Sequence, residues 1–265
     1  MEHVARGPGR PRRVPPSGAA DTREEILDTA AALFAAQGYA GTGTREIAAK
    51  VGLRQASLFH YFAHKDDLLA ELLDRTVSPT LAATGWLERA DGDPHVRLYV
   101  LARADVTNLC CGPPQIGVLQ LLPEARGPRF AVFWRERAEL RDRYQRMIHE
   151  AARLGGVIDV PDEIATDLVF GAVESTMTWY DAGSSLPPAE VAEAVASASV
   201  RGILRRPPTP ARLRAAGDRL LRAHAGGHPS ANEPTMPRSR NAARAANSPH
   251  MPWTPPPGGV DAEHK

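Results

Sequence analysis

The sequence has only two cysteines, Cys110 and Cys111, and they are adjacent. Neighbouring cysteines cannot staple distant segments, so a disulfide framework is excluded and the expected compartment is the reducing cytoplasm. Long apolar runs are missing as well: nothing approaches the roughly eighteen consecutive apolar residues of a membrane helix, so no membrane partner is expected. The N-terminal residues carry Arg but no apolar stretch, so no secretory signal is expected. Charge of one sign is not in excess, the formal net charge being +1. Any contact with nucleic acid must then rest on where Arg and Lys are placed, not on bulk attraction. Alternating runs of Val, Ile and Thr that would read as strands are absent. So are the G-x-S-x-G, P-loop and Rossmann fingerprints, and no His or Cys spacing suits a metal. The expectation is a protein that is not an enzyme and uses neither metal nor cofactor.

What remains reads as helix. Hydrophobic residues make up 43% of the chain, enough for a packed core, while Gly and Pro crowd the two ends. Residues 1–20 read as a disordered basic arm and residues 226–265 as a disordered tail. The first helix is expected to open at Thr22, with Glu25 three residues later as a capping box. Ile26, Ala30, Leu33 and Phe34 share one helical face, and Gly38 supplies the stop. A short second helix covers roughly 44–51 and ends at Gly52; a third covers roughly 54–62; a fourth opens at Lys65. Past Pro79, Gly- and Pro-rich breaks leave helices near 94–110, 114–122, 129–154, 162–182, 188–205 and 210–224. The expected fold is all-α: an N-terminal three-helix helix-turn-helix head at 21–78, then a larger C-terminal helical bundle at 79–225.

Residues 42–65, TGTREIAAKVGLRQASLFHYFAHK, hold two short helices separated by a Gly-containing turn, the pattern whose second helix enters the major groove. At about 100° per residue, Leu58 and Phe62 point together into the core while Ala56 and His60 face away. Small, hydroxyl and ring side chains on an exposed face suit groove edges better than they suit water. Gln55 has the amide for a bidentate contact to adenine, and Ala56 is small enough to touch a thymine methyl. Arg45 and Arg54 have the reach for guanine or phosphate. Thr44, Ser57, Tyr61 and Lys65 carry donors for phosphate oxygens.

The run GYAGTGTREIAAKVGLRQASLFHYFAHKDDLL resembles the signature of the TetR family of transcriptional regulators. The likeness lies in Gly38-Tyr39 after the first helix, Thr42 before the second, Ile47-Ala48 within it and Gly52 in the turn. Leu58, Tyr61-Phe62, Lys65 and Leu68-Leu69 follow in register. The resemblance implies that Gln55, Ala56, Ser57 and His60 meet DNA, that Thr44 and Arg45 open the supporting helix, and that Phe59, Tyr61 and Lys65 hold the backbone. Two positions depart from the family: Phe59 stands where Tyr is usual, and Arg54 where Ser or Thr often caps the reading helix.

The same resemblance implies a ligand-binding, dimerising C-terminal bundle, hence a homodimer on a palindromic operator in double-stranded DNA, released by a small, largely apolar effector. Candidate dimer stripes are Leu168, Val169, Ala172, Val173 and Thr176, and Val191, Ala194, Val195 and Ala198. Aromatic, Met and Arg side chains nominate a pocket from Tyr99, Arg103, Phe133, Trp134, Met147, Met177, Trp179 and Tyr180. The arm GPGRPRR at 7–13 suits an adjacent minor groove. The adjacent cysteines read as buried, inert thiols rather than a redox sensor. An alternative reading is an architectural DNA-binding protein without an effector, against which the near-neutral charge counts, because such proteins depend on many phosphate contacts.

Overall fold

The computed structural model describes residues 19–112, 116–180 and 184–227. Its helices are α1 (Ala19–Gly41), α2 (Thr44–Lys50), α3 (Gln55–Leu58), α4 (Lys65–Thr84), α5 (Pro94–Cys111), α6 (Ala131–Arg153), α7 (Asp162–Trp179), α8 (Pro188–Gly202) and α9 (Pro210–Gly227). Short 3₁₀ turns follow α4 and fill the stretch before α6. Among the described residues extended pairing is limited to one antiparallel bridge, Val157 with Leu204.

The head forms because three short amphipathic segments share one apolar centre. Ile26, Leu27, Ala30 and Phe34 of α1 are buried with Ile47 and Ala48 of α2, Leu58 and Phe62 around α3, and Leu68, Leu69 and Leu72 of α4. The helical run of α1 stops at Gly38, whose φ of 78° and ψ of 160° lie outside the helical region; glycine adopts this conformation at low steric cost. Outside the core, Arg75 of α4 ties α1 down through both oxygens of Glu24, at 2.6 and 2.8 Å.

In the body α5 is the central rod, packed against α4, α6, α7, α8 and α9. It is buried nearly all round, with Leu98, Tyr99, Leu101, Ala102 and Val106 out of solvent. Helix α4 belongs to both halves. Its first turns bury Leu68, Leu69 and Leu72, while its last turns hold Thr80 and Thr84 against the body.

Several expected boundaries are corrected. Helix α1 already includes Ala19, Ala20 and Asp21, so Thr22 is an interior, buried residue and no capping box forms with Glu25; the two alanines favour helix and prolong it upstream. The stretch expected as helix 114–122 is a 3₁₀ turn over Ile116–Leu121. There Gly117 lies so close to α7 that an added Cβ would sit 2.3 Å from Met177 Cβ, and Pro123 and Pro128 bar longer helices. Helix α8 stops at Gly202 instead of near 205, because Leu204 turns out to pair with Val157. The reading segment is α-helical only over Gln55–Leu58 and continues as turns to Phe62, with the Tyr61 and Phe62 N–H groups both donating to the Leu58 carbonyl. The arm at 7–13 and the tail from 228 lie outside the described residues.

Candidate nucleic-acid interface

Gly43, in extended conformation at φ −101° and ψ 144°, caps α2 and lets Thr44 begin it. The loop before it is braced by Thr42, only 1% exposed, whose hydroxyl donates to the Gly38 carbonyl at 2.8 Å. Between α2 and α3 the chain reverses at Gly52, φ 72°, a left-handed conformation that a Cβ would strain. The Leu53 N–H closes the turn on the Ala48 carbonyl at 2.7 Å.

This frame sets the face of α3. Leu58 is 0% and Phe62 3% exposed, whereas Phe59 is 44% exposed. Arg54, Gln55, Ala56 and His60 are also exposed, and Ser57 and Tyr61 are half-buried. Arg54 is the N-cap residue, and its side chain caps nothing. Gln55 reaches back across the turn, its Nε2 donating to Thr44 Oγ1 at 2.9 Å. That bond holds the Gln55 amide at the junction of the two helices, where Arg45 and Lys50 are also exposed. No acidic residue lies between Val51 and Lys65, so the face carries donors and cations together, suited to phosphate oxygens and base acceptors.

Lys65 behaves differently from the other nominated residues. Its Nζ donates to the carbonyls of Tyr39 and Thr42 at 2.8 and 3.0 Å and lies 4.0 Å from the centroid of the Tyr39 ring. The ammonium therefore fastens the end of α1 to the start of α4. Beside it the Tyr39 hydroxyl donates to Asp66, and Arg129, from the 3₁₀ stretch of the body, pairs with Asp67.

The eight residues nominated as a pocket have the following surroundings. Tyr99 is fully buried and donates to Glu193, with burial and this bond pushing its phenol up to about 12. Arg103 pairs with Asp218 at 2.9 Å. Phe133 packs edge-on against Trp134, 4.9 Å between centroids, and the Trp134 indole donates to the Ala125 carbonyl at 2.7 Å. Met147 and Met177 are buried, Trp179 is 53% exposed, and the Tyr180 hydroxyl donates to the Leu186 carbonyl at 3.1 Å. Concavities of about 540 and 620 Å³ lie elsewhere, the first between α6 and α7 and the second between α8 and α9.

A buried polar centre escaped the sequence reading. Asp105 of α5 is 1% exposed and accepts from Thr80 of α4 at 3.0 Å and from Tyr144 of α6 at 2.9 Å. No arginine, lysine or histidine pairs with it among the described residues. Burial, with the Glu174 charge nearby, raises its carboxyl to about 7. One signal was available: Asp105 falls on the face of α5 that carries Leu98, Leu101, Ala102 and Leu109, where an aspartate has no apolar reason to be. Among the described residues no group of His, Cys, Asp and Glu is arranged to hold a metal ion, and no helix is long and apolar enough to cross a membrane. Burial pushes the Cys110 thiol up to about 12 and raises Cys111 too, which keeps both out of the reactive thiolate form.

A helix-turn-helix head with an exposed, cation-bearing reading face, carried on an all-helical body, defines a DNA-binding transcriptional regulator. Comparison with known proteins is more specific. Residues 26–72 match the family described as bacterial regulatory proteins, tetR family, and residues 91–203 match a tetracyclin repressor-like C-terminal domain. The crystal structure of AmtR from Mycobacterium smegmatis is 41% identical in sequence, with a TM-score of 0.66 over 79% of this chain and 97% of that one. The transcriptional repressor KstR2 of Mycobacterium tuberculosis is 27% identical over 187 residues, 68% of this chain and 92% of its own length. The chain belongs to the TetR family of transcriptional regulators, a family that is not enzymatic.

Proposed function

We propose that the chain is a repressor that binds a palindromic operator as a homodimer and is released from it by a small molecule. The observation that carries this reading is the outward face of α3 and the turn that continues it, where Gln55, Ala56 and His60 meet solvent while Leu58 and Phe62 are buried. Gln55, Ala56, Ser57 and His60 read base edges in the major groove, while Thr44, Arg45, Arg54, Phe59 and Tyr61 seat the helix against the backbone. Lys65 serves from behind, holding Tyr39 and Thr42 so that α2 enters at the right angle. In this reading residues 21–78 form the DNA-binding unit and residues 79–225 the effector-binding and dimerising unit, and the protein works in the cytoplasm.

The dimer face is supported by exposure. Ile164, Leu168 and Trp179 of α7 are 50%, 54% and 53% exposed, with Gly171 and Ser175 in line between them and Ala194 and Ala198 open on α8. Of the stripes nominated from sequence, Val169, Val173, Thr176 and Val191 are buried within the protomer; Leu168, Ala194 and Ala198 point out. A two-fold pair through this face sets the two α3 helices on half-sites one turn, ~34–36 Å, apart. Repression is supported by the described role of the KstR2 relatives.

Binding to palindromic DNA near the protein's own gene, measured at physiological salt, is expected to exceed binding to random DNA of the same length. Absence of any such preference would sink the reading. Gln55→Ala should weaken specific binding by ~1–3 kcal/mol and leave the unfolding midpoint and nonspecific affinity in place. Equal loss on both DNAs would show that α3 does not read bases.

A further inference from the structure

Positive charge is concentrated in one stretch of the chain. Residues 194–260 hold ten arginines against two acids, Asp218 and Glu233, although the whole chain carries a formal net charge of only +1. The remainder is therefore net acidic, and such asymmetry between parts of a chain points to an anionic partner for the basic part. No lysine falls in the stretch. Arginine alone supplies the charge, and its planar fork suits phosphate oxygens better than a point charge does.

Helix α9 presents part of this charge in a fixed orientation. Leu213 is 1% exposed, Gly217 lies so close to α5 that an added Cβ would sit 2.7 Å from the Tyr99 ring, and His224 stacks on Trp86 with ring centroids 3.9 Å apart. These positions define the inward side. Pro210 and Arg214 lie on the flank that borders α8. At about 100° per residue, Arg212 and Arg219 fall on the opposite flank and Arg222 on the outer side. All three are exposed, as is Arg206 in the loop before the helix. The nearby acids are already engaged, Asp218 by Arg103 and Glu193 by Arg214. Among the described residues none of the four arginines pairs with a carboxylate, whereas Arg97, Arg137, Arg141 and Arg146 of the body each do.

The outer side offers little to a protein or a lipid. Its other exposed positions are alanines, Ala211, Ala215 and Ala223, and none of the large exposed hydrophobic side chains falls on α9. A helix lying on a membrane needs a free apolar face, and a protein interface needs buried anchors. A phosphate backbone needs neither. Arg212 to Arg222 spans about 15 Å at a rise of about 1.5 Å per residue, the axial length of about four phosphates on one DNA strand. We propose that the outer side of α9, together with Arg206, binds the phosphate backbone of a nucleic-acid duplex, as a second site separate from α3. The His224 end of α9 meets Trp86, just past the last turn of α4, while the head holds the first turn. About 30 Å of helix separates those two turns, which lets the two sites hold separate duplex segments.

Fluorescence anisotropy with a labelled duplex of random sequence, titrated with the full chain, tests it. The reading face is first blanked by Arg45→Gln, Lys50→Gln and Arg54→Gln. The blanked chain is expected to bind the duplex saturably at about 50 mM salt. Adding Arg206→Gln, Arg212→Gln, Arg219→Gln and Arg222→Gln should weaken that binding at least about ten-fold and flatten its salt dependence by about 0.9 per lost contact, with the unfolding midpoint in place. No saturable binding by the blanked chain, or binding unchanged by the four substitutions, would overturn the proposal. Tighter binding to vesicles of anionic lipid than to the duplex would overturn it too, giving the surface to a membrane. With the head intact, the four substitutions should leave the preference for operator over random DNA unchanged, so either reading can fail alone.

Discussion

In the head, α3 and the turn after it leave Gln55, Ala56 and His60 in solvent, whereas in the body Thr80 and Tyr144 both donate to Asp105 out of reach of water. The head keeps the polar side chains of its reading face available, and its centre is mainly apolar. The body places buried polar bonds on the last turns of α4, adding Asn108 to the Arg75 carbonyl at 3.0 Å and Arg143 to the Leu81 carbonyl at 3.0 Å. Apolar packing is non-directional. Buried hydrogen bonds demand one geometry. The contrast teaches that α4 is positioned by buried polar contacts at its body end, and at its head end by an apolar centre flanked by solvent-accessible polar contacts from Lys65, Asp66 and Arg75.

The largest expected effect is at the apolar end of this contrast. Leu58→Ala removes a fully buried side chain from the head and should cost about 2–5 kcal/mol, read as a lower denaturant midpoint with loss of DNA binding. A cost well under that range would mean that the head does not rest on its apolar centre.

Next comes the polar centre of the body. Asp105 has its carboxyl raised to about 7 from an ordinary 3.8, so the folded chain keeps a proton that the unfolded chain gives up. Its contribution to stability is therefore full below about pH 4 and is lost as pH rises through about 7. Asp105→Asn, which stays neutral, should flatten the stability profile over that window by on the order of 2–4 kcal/mol. The check is denaturant melts at several pH values; parallel profiles for the two proteins would remove Asp105 as the source.

A smaller effect is expected at Gly52. Its φ is +72° and an added Cβ would meet nothing within 4 Å, so Gly52→Ala should cost only the left-handed backbone penalty, about 1–2 kcal/mol. Gly52→Asn should cost less, since asparagine tolerates that region. Thermal melts of the two variants compare them directly, and similar losses would point to a packing role for the turn.

The head was legible because its information is local. Leu58 and Phe62, four residues apart, declare a buried side, and Gly38 and Gly52 declare where helices stop, all within a window that periodicity can read. The partners of the nominated pocket residues were not legible, because Tyr99, Phe133, Met177 and Trp179 are all large apolar side chains in sequence yet meet different neighbours. Trp179 ends half exposed, while Tyr99 is buried under Glu193. The expected helix 114–122 misled for a related reason: its apolar residues suit a helix, but Gly117 is pressed against Met177.

The amino-acid order alone determined the helical class, the helix-turn-helix and the outward side of α3, since each follows from spacing over a few turns and from where glycine and proline fall. Only the tertiary structure decided that Asp105 joins α4, α5 and α6, that Lys65 turns inward to Tyr39 and Thr42, and that α9 docks at Gly217 with Arg219 and Arg222 exposed. Those outcomes depend on partners 23 to 64 residues away or on other helices. Periodicity can say which face of a helix is buried, but the side chain it will meet there is chosen by packing.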